Sequence, residues 1–191
     1  MGAIQIAIKD LTQQPYECLV NAANGIGPMG RGIAGALKRA AGDAIQADAF
    51  RICAQKSYTD ERGDHIGYPA GKAYMISSGR LRDNGVKNIV CAVSMHRPSD
   101  PTSVAICKSA LHAAMEIVLR EGFTSVGLPA FGTGVGNLDK IEVANMMVQE
   151  LDVYKNAVDI HINDINTTFI KACCEKQMTI EGWATHPFLQ T

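Results

Sequence analysis

Two glycine-rich segments hold the residues whose types and spacing best suit chemistry. The first, "NAANGIGPMGRGIAG", places Gly25, Gly27, Gly30, Gly32 and Gly35 after an apolar run and before a helical pattern. The second, "LPAFGTGVGNLDK", places Gly132, Gly134 and Gly136 between another apolar run and another helical pattern. A glycine lets backbone N–H groups turn toward an anion with no Cβ in the way. The helix that follows adds its positive N-terminal end. Two such loops suit two phosphates, so a pyrophosphate fits with little help from Lys or Arg. That agrees with a formal net charge of only −1. Glycines also make ordinary tight strand-to-helix connections, and the pattern alone leaves that reading open.

The elements that must position these loops follow from periodicity. Six runs read as strands, at 4–9, 17–23, 73–78, 88–95, 125–130 and 157–164. Several are apolar on both faces, as in a sheet covered on each side. Helical spacing is expected at 32–41, 43–55, from Pro101 in a first turn to near Gly122, at 139–151 and at 167–176. Alternating strands and helices give an α/β fold of three layers, α/β/α. With no repeat or linker in view, the chain reads as one domain over 1–176, with 177–191 as its C-terminal tail lying loosely on the surface or disordered. Segment 57–71 reads as a polar loop. Gly30, Gly32 and Gly35 formally spell G-x-G-x-x-G, but Asn24–Met29 separate them from the strand and no second strand ends with an acidic residue about 20 positions on, so the dinucleotide fingerprint lacks its context.

Composition narrows the class. The near-neutral charge supplies no global field for nucleic acid or an anionic membrane. The opening "MGAIQIAIKD" shows no secretory signal, and no apolar run approaches the ~18 residues of a membrane span. The six cysteines form no CxxC and no Cys/His cluster, and most sit in apolar runs as buried thiols. A reducing cytoplasm is the expected location. The five histidines have no mutual metal spacing, so no metal or cofactor is expected; His112 on a helix and His161 in a strand read as packed or solvated residues.

With these motifs in order, the chain resembles the macro domain family, which binds ADP-ribose, of the Appr-1''-p processing type, over about residues 4–175. "KDLTQQPYECLVNAAN" is similar to the family's opening strand, Gly-Asp-Ile-Thr and Val-Asn-Ala-Ala-Asn. "GPMGRGIAGALKRAAG" stands at its first phosphate loop, with the Met-Gly-x-Gly-Ile-Ala of one subgroup. "GKAYMISSGRL" resembles its middle strand and "SVGLPAFGTGVGNLDK" its second phosphate loop. The resemblance implies a three-layer fold around a central mixed β-sheet and a residue-by-residue site. Asp10 would accept from the adenine amino group, with Leu11 beside the ring. Asn24 would meet the distal ribose. Gly30, Gly32 and Ile33 would offer backbone to diphosphate and ribose, with Arg31 and Ala34 in the same loop. Gly132, Thr133, Gly134 and Val135, followed by Gly136 and Asn137, would wrap the diphosphate from the other side. Asn163 stands where many members place an aromatic ring against adenine. Asn21 reads as bracing its loop, although Asp10 also suits a turn or cap.

Departures from the pattern bear on activity. Ala34 stands where one hydrolase branch has a catalytic Asp, and "ISSGRL" lacks the Lys used by another. Arg31 and Asn137 replace glycines. The implied function is a mono-ADP-ribosyl hydrolase of glycohydrolase type, acting on modified proteins or ADP-ribose derivatives, with Asn24 as catalytic residue through positioning rather than as a base. The alternative is a reader that binds ADP-ribose and cleaves nothing. The expected partner is ADP-ribose or an ADP-ribosylated protein, nucleic acid only if ADP-ribosylated, with no membrane, and the chain acting as a monomer.

Overall fold

The computed structural model describes residues 2–56, 58–59 and 65–182. Six strands form one sheet: β1 (Gln5–Ile8), β2 (Cys18–Asn24), β5 (Ala73–Ser77), β6 (Asn88–Met95), β7 (Ser125–Leu128) and β8 (Asp159–Asp164), in the order β1-β8-β7-β2-β6-β5. All pairs are parallel except β5 against β6, so the sheet is mixed. Each strand lies within its expected run except β2, which continues one residue past 23 to Asn24. Segment 57–71, expected as a loop, instead carries a short antiparallel ribbon, β3 (Tyr58–Thr59) with β4 (His65–Ile66). Two residues per strand are too few to show an alternating pattern.

Five helices cover the faces: α1 (Gly32–Ala41), α2 (Ala44–Gln55), α3 (Val104–Arg120), α4 (Lys140–Leu151) and α5 (Thr167–Glu181). Pro101 lies outside α3. Ser103 is its N-cap, accepting from Ile106 N at 3.2 Å, because a hydroxyl satisfies a first-turn donor and a proline cannot. Helix α5 runs five residues beyond its expected end at 176, and Gln177 Nε2 donates to Ile4 O at 2.9 Å, tying it to the start of β1. Tail residues 183–191, including His186, lie outside the described residues.

The period of two along the strands divides the core. In β6, Val90 and Ala92 pack with α3, α4 and α5, whereas Ile89, Cys91 and Val93 pack with α1 and α2. Every central strand thus buries both faces, which is why these runs are continuously apolar. Five of the six cysteines are buried and Cys174 is partly buried. Burial pushes the Cys91 thiol up to about 12, so it behaves as an apolar filler and not a nucleophile.

Candidate functional site

Parallel pairing of β2 with β7, Cys18 opposite Val126 and Leu19 opposite Gly127, sends both glycine loops out of the same sheet edge. Adjacent strands lie about 4.8 Å apart, so the loops after Asn24 and Leu128 are neighbours. Ligands of open α/β sheets bind at this carboxyl edge.

The first loop is built by Asn24. Its Oδ1 accepts from Ile26 N at 3.1 Å and Gly27 N at 2.9 Å, and its Nδ2 donates to Pro28 O at 2.9 Å. One Nδ2 hydrogen is left for a ligand. Asn21, expected as the brace, is a buried strand residue, 1% exposed, whose Nδ2 points to Cys91 Sγ at 3.6 Å. The bracing role therefore belongs to Asn24. Beyond it, Gly30, Arg31 and Gly32 are exposed. Ideal Cβ atoms at Gly30 and Gly32 would meet nothing within 4 Å, so these two stretches of backbone face open space. Gly32 has φ +56°, a region that favours glycine, and it opens α1. Arg31 is the N-cap of that helix yet supplies no side-chain cap, and the first turn holds no acidic residue. The first-turn N–H groups remain open to an anion. Ile33 is partly buried and Ala34 is buried against the α1–α2 side of the core.

The second loop is held from three sides. Asp164 Oδ2 accepts from Ala130 N at 3.1 Å while its Oδ1 accepts from Asn166 N at 2.8 Å, joining the exits of β7 and β8. A Cβ at Gly132 would lie 2.7 Å from Leu138 Cδ1 and 3.0 Å from Cys107 Sγ; one at Gly136 would lie 2.6 Å from Gly132 O and 2.7 Å from Thr102 Cγ2. These two glycines are there for packing. Gly134 differs: its Cβ would meet nothing within 4 Å. Thr133 is half-buried, and Val135 is exposed. Asn137 sits at φ +51°, which asparagine tolerates better than most side chains, and this explains how it stands in a glycine position. The helix after this loop does not present an open end. Asp139 Oδ1 accepts from Ile141 N at 3.0 Å and Glu142 N at 2.9 Å, so α4 is capped by its own carboxylate and only α1 offers its dipole.

Asp10 caps the 3-10 turn Leu11–Gln13: Oδ1 accepts from Thr12 N at 2.9 Å and Thr12 Oγ1 at 2.8 Å. Oδ2 has no partner among the described residues, and Asp10 is exposed. Leu11 is 3% exposed and lies against the position a Gly127 side chain would fill, so it supports the turn from beneath. Asn163 does not form a surface beside it. It is 2% exposed, accepts from Tyr16 Oη at 2.8 Å and donates to Ala7 O at 3.4 Å. Expected as a ligand residue, it is a buried brace instead, because its strand position points into the layer. Tyr16 in turn stacks on His161, centroids 4.1 Å apart, and burial moves the phenol's pKa up and the imidazole's down, keeping both neutral. Two exposed apolar residues stand near Asp10 at the edge: Ile8, paired in register with Asp164, and Ile165 just after it. Sequence reasoning missed Ile8, Ile165, Tyr16 and Asp164. The strand-final position of Asp164 was the one available signal.

His112 lies away from this edge, with Nδ1 2.7 Å from Tyr154 Oη and Nε2 2.8 Å from Glu150 Oε2, linking α3 to α4. Among the described residues no group of three or more His, Cys, Asp or Glu is placed to hold a metal, and no helix is long and apolar enough to cross a membrane.

An α/β/α sandwich with two glycine loops at one sheet edge is an architecture many α/β proteins share; the Macro domain family model matches residues 20–147, and the chain belongs to that family. Among its relatives is an uncharacterized protein of Aquifex aeolicus, 31% identical over 78% of this chain and 80% of that one. The O-acetyl-ADP-ribose deacetylase of Citrobacter koseri is 30% identical over 76% of each chain. A macrodomain variant of Oceanobacillus iheyensis solved with ADPR superposes with a TM-score of 0.76, at 20% identity, over 91% of each chain, which shows the shared fold.

Proposed function

We propose that this macro domain binds ADP-ribose across the two glycine loops and hydrolyses its linkage to a modified protein or small acceptor. The observation that carries the reading is the bare, outward backbone at Gly30, Gly32 and Gly134 beside an uncapped α1 N-terminus. Those groups suit a diphosphate, which needs several N–H donors and little room. Asp10 Oδ2 suits the adenine amino group, and Ile8 with Ile165 suits the faces of the ring. Kinship with an O-acetyl-ADP-ribose deacetylase supports hydrolysis. The chemistry would be positional. Asn24 keeps the first loop in shape and aims its remaining N–H at the distal ribose. A water beside the diphosphate attacks the anomeric carbon, breaking its bond to the acceptor, or the acyl carbon of an ester, breaking its bond to the ribose oxygen. The departing group takes up the proton the water gives up. Ala34 has no group that moves a proton, so no side-chain base acts from that position.

A second reading, a reader without turnover, has its own observation. Both lone-pair directions of Asn24 Oδ1 are engaged by Ile26 and Gly27, so that oxygen does not hold a water. Incubation with mono-ADP-ribosylated substrates of glutamate, serine, arginine and DNA linkage separates the two. Release of free ADP-ribose supports the hydrolase; binding without release on every linkage supports the reader.

A further inference from the structure

We propose that a basic groove along α1 docks an acidic peptide stretch next to the ADP-ribosylated residue, a partner class that rests on the functional reading above. A concavity of about 420 Å³ opens beside the first loop at Met29 and Gly30 and follows the face of α1 marked by Gly35, Lys38, Arg39 and Gly42. Spacings of three and four place these residues on one side of the helix. Gly30, Gly35 and Gly42 give a floor without side chains. Lys38, Arg39 and Arg80 form the walls, and Asp43 is the sole carboxylate among the lining residues. A Cβ at Gly35 would lie 3.3 Å from Arg39 Nη1, so the guanidinium lies over bare backbone.

Two of the three charges in the groove, Lys38 and Arg39, are available. Among the described residues Arg39 has no acceptor for its guanidinium. Asp43 meets Lys38 at 3.3 Å, but its side chain is 92% exposed, and such a pair is easily exchanged for another carboxylate. The α1 C-terminus would ordinarily repel an anion. Here three of its last four carbonyls are occupied: Arg80 Nη2 donates to Arg39 O at 3.0 Å, Arg80 Nε to Ala40 O at 3.4 Å, and Gly42 N to Lys38 O at 2.8 Å. Three cations thus face one carboxylate in a chain whose net charge is −1.

The lining also selects among anions. It contains no aromatic ring on which a base could stack, and Met29 is its one large apolar side chain. Guanidinium forks match carboxylates in pairs. The ten residues of α1 span about 15 Å, the reach of four or five extended residues. The groove starts at Gly30, one of the loop glycines given to the diphosphate and ribose in the reading above, so a chain attached to the ribose has it within reach.

Calorimetry on the whole chain tests this with four ligands: free ADP-ribose, an ADP-ribosylated peptide rich in glutamate, the same peptide with glutamines, and the unmodified acidic peptide. The parent is expected to prefer the acidic over the neutral modified peptide by about fivefold, as a few exposed ion pairs allow, with the preference shrinking as salt rises. Arg39→Glu is expected to erase the preference and leave free ADP-ribose unchanged; Arg39→Gln should lie between. Equal affinity for the two modified peptides in the parent, or an undiminished preference in Arg39→Glu, overturns the groove. So does an ADP-ribosylated oligonucleotide that binds more tightly than the acidic peptide and loses that advantage in Arg39→Glu. If free ADP-ribose gives no heat, the functional reading fails, and the unmodified acidic peptide still decides the groove: it must bind the parent more tightly than Arg39→Glu.

Discussion

Asp10 divides its carboxylate between two tasks, and substitution can separate them. Oδ1 closes the turn at Thr12, and Oδ2 is assigned to the adenine amino group. Asp10→Ala is expected to weaken ADP-ribose by about 1–3 kcal/mol, the range for a hydrogen bond to a charged group. The same variant should lose about 1 kcal/mol of stability with the cap. Calorimetry and thermal unfolding on one preparation check both; a stability loss with unchanged affinity makes Asp10 a cap alone. Asn24→Ala removes three bonds that shape the first loop. Turnover is expected to fall at least about tenfold, or roughly 1.4 kcal/mol of barrier, and affinity falls with it because the loop is no longer held. Equal turnover in parent and variant removes Asn24 from the mechanism. The residue types of this site were legible from the order of the motifs. Which asparagine braces and which faces outward was not, since Asn21, Asn24 and Asn163 carry the same amide and only the register of β2 and β8 decides where each points.

At the level of elements, the loop glycines divide into those that pack and those that face open space. Gly136→Ala forces a methyl to within 2.6 Å of Gly132 O and should destabilise the fold by about 1–3 kcal/mol, as overpacking does. Gly134→Ala meets open space and should unfold with the parent while weakening ADP-ribose. Thermal unfolding should set Gly136→Ala apart from the parent and leave Gly134→Ala with it, while titration shows the loss of affinity in Gly134→Ala; a destabilised Gly134→Ala, or one that binds as the parent does, contradicts the division. Both loops and their flanking strands and helices were readable from periodicity, because the sheet buries both faces. The open end of α1 and the closed end of α4 were not separable by motif alone. Each follows a glycine loop, and the difference is Asp139, whose capping geometry depends on a backbone turn that spacing does not encode.

Across the whole molecule, Glu17 ties three strand starts together. It pairs with Lys87 at 2.6 Å and accepts from Thr124 N at 2.8 Å, and these partners hold its carboxyl below the ordinary value of 4.5. A depressed carboxylate stabilises fully above that value and loses its contribution as pH falls through the lowered one. Glu17→Gln should therefore lower the melting temperature near neutrality, and the gap from the parent should narrow as pH falls below 4.5. A gap between the two proteins that stays constant across this range contradicts the linkage. The three-layer architecture followed from the alternation of elements and the mixed sheet from the family resemblance, whereas the β3–β4 ribbon and the extra length of α5 left too little pattern to read. The central claim, that the two loops form one ADP-ribose site, is tested most directly by calorimetric titration of ADP-ribose into the parent protein. The account predicts saturable binding at one site with a micromolar Kd, about −8 kcal/mol, weakened in Gly134→Ala. No heat, and no protection from thermal unfolding at millimolar ADP-ribose, contradicts it.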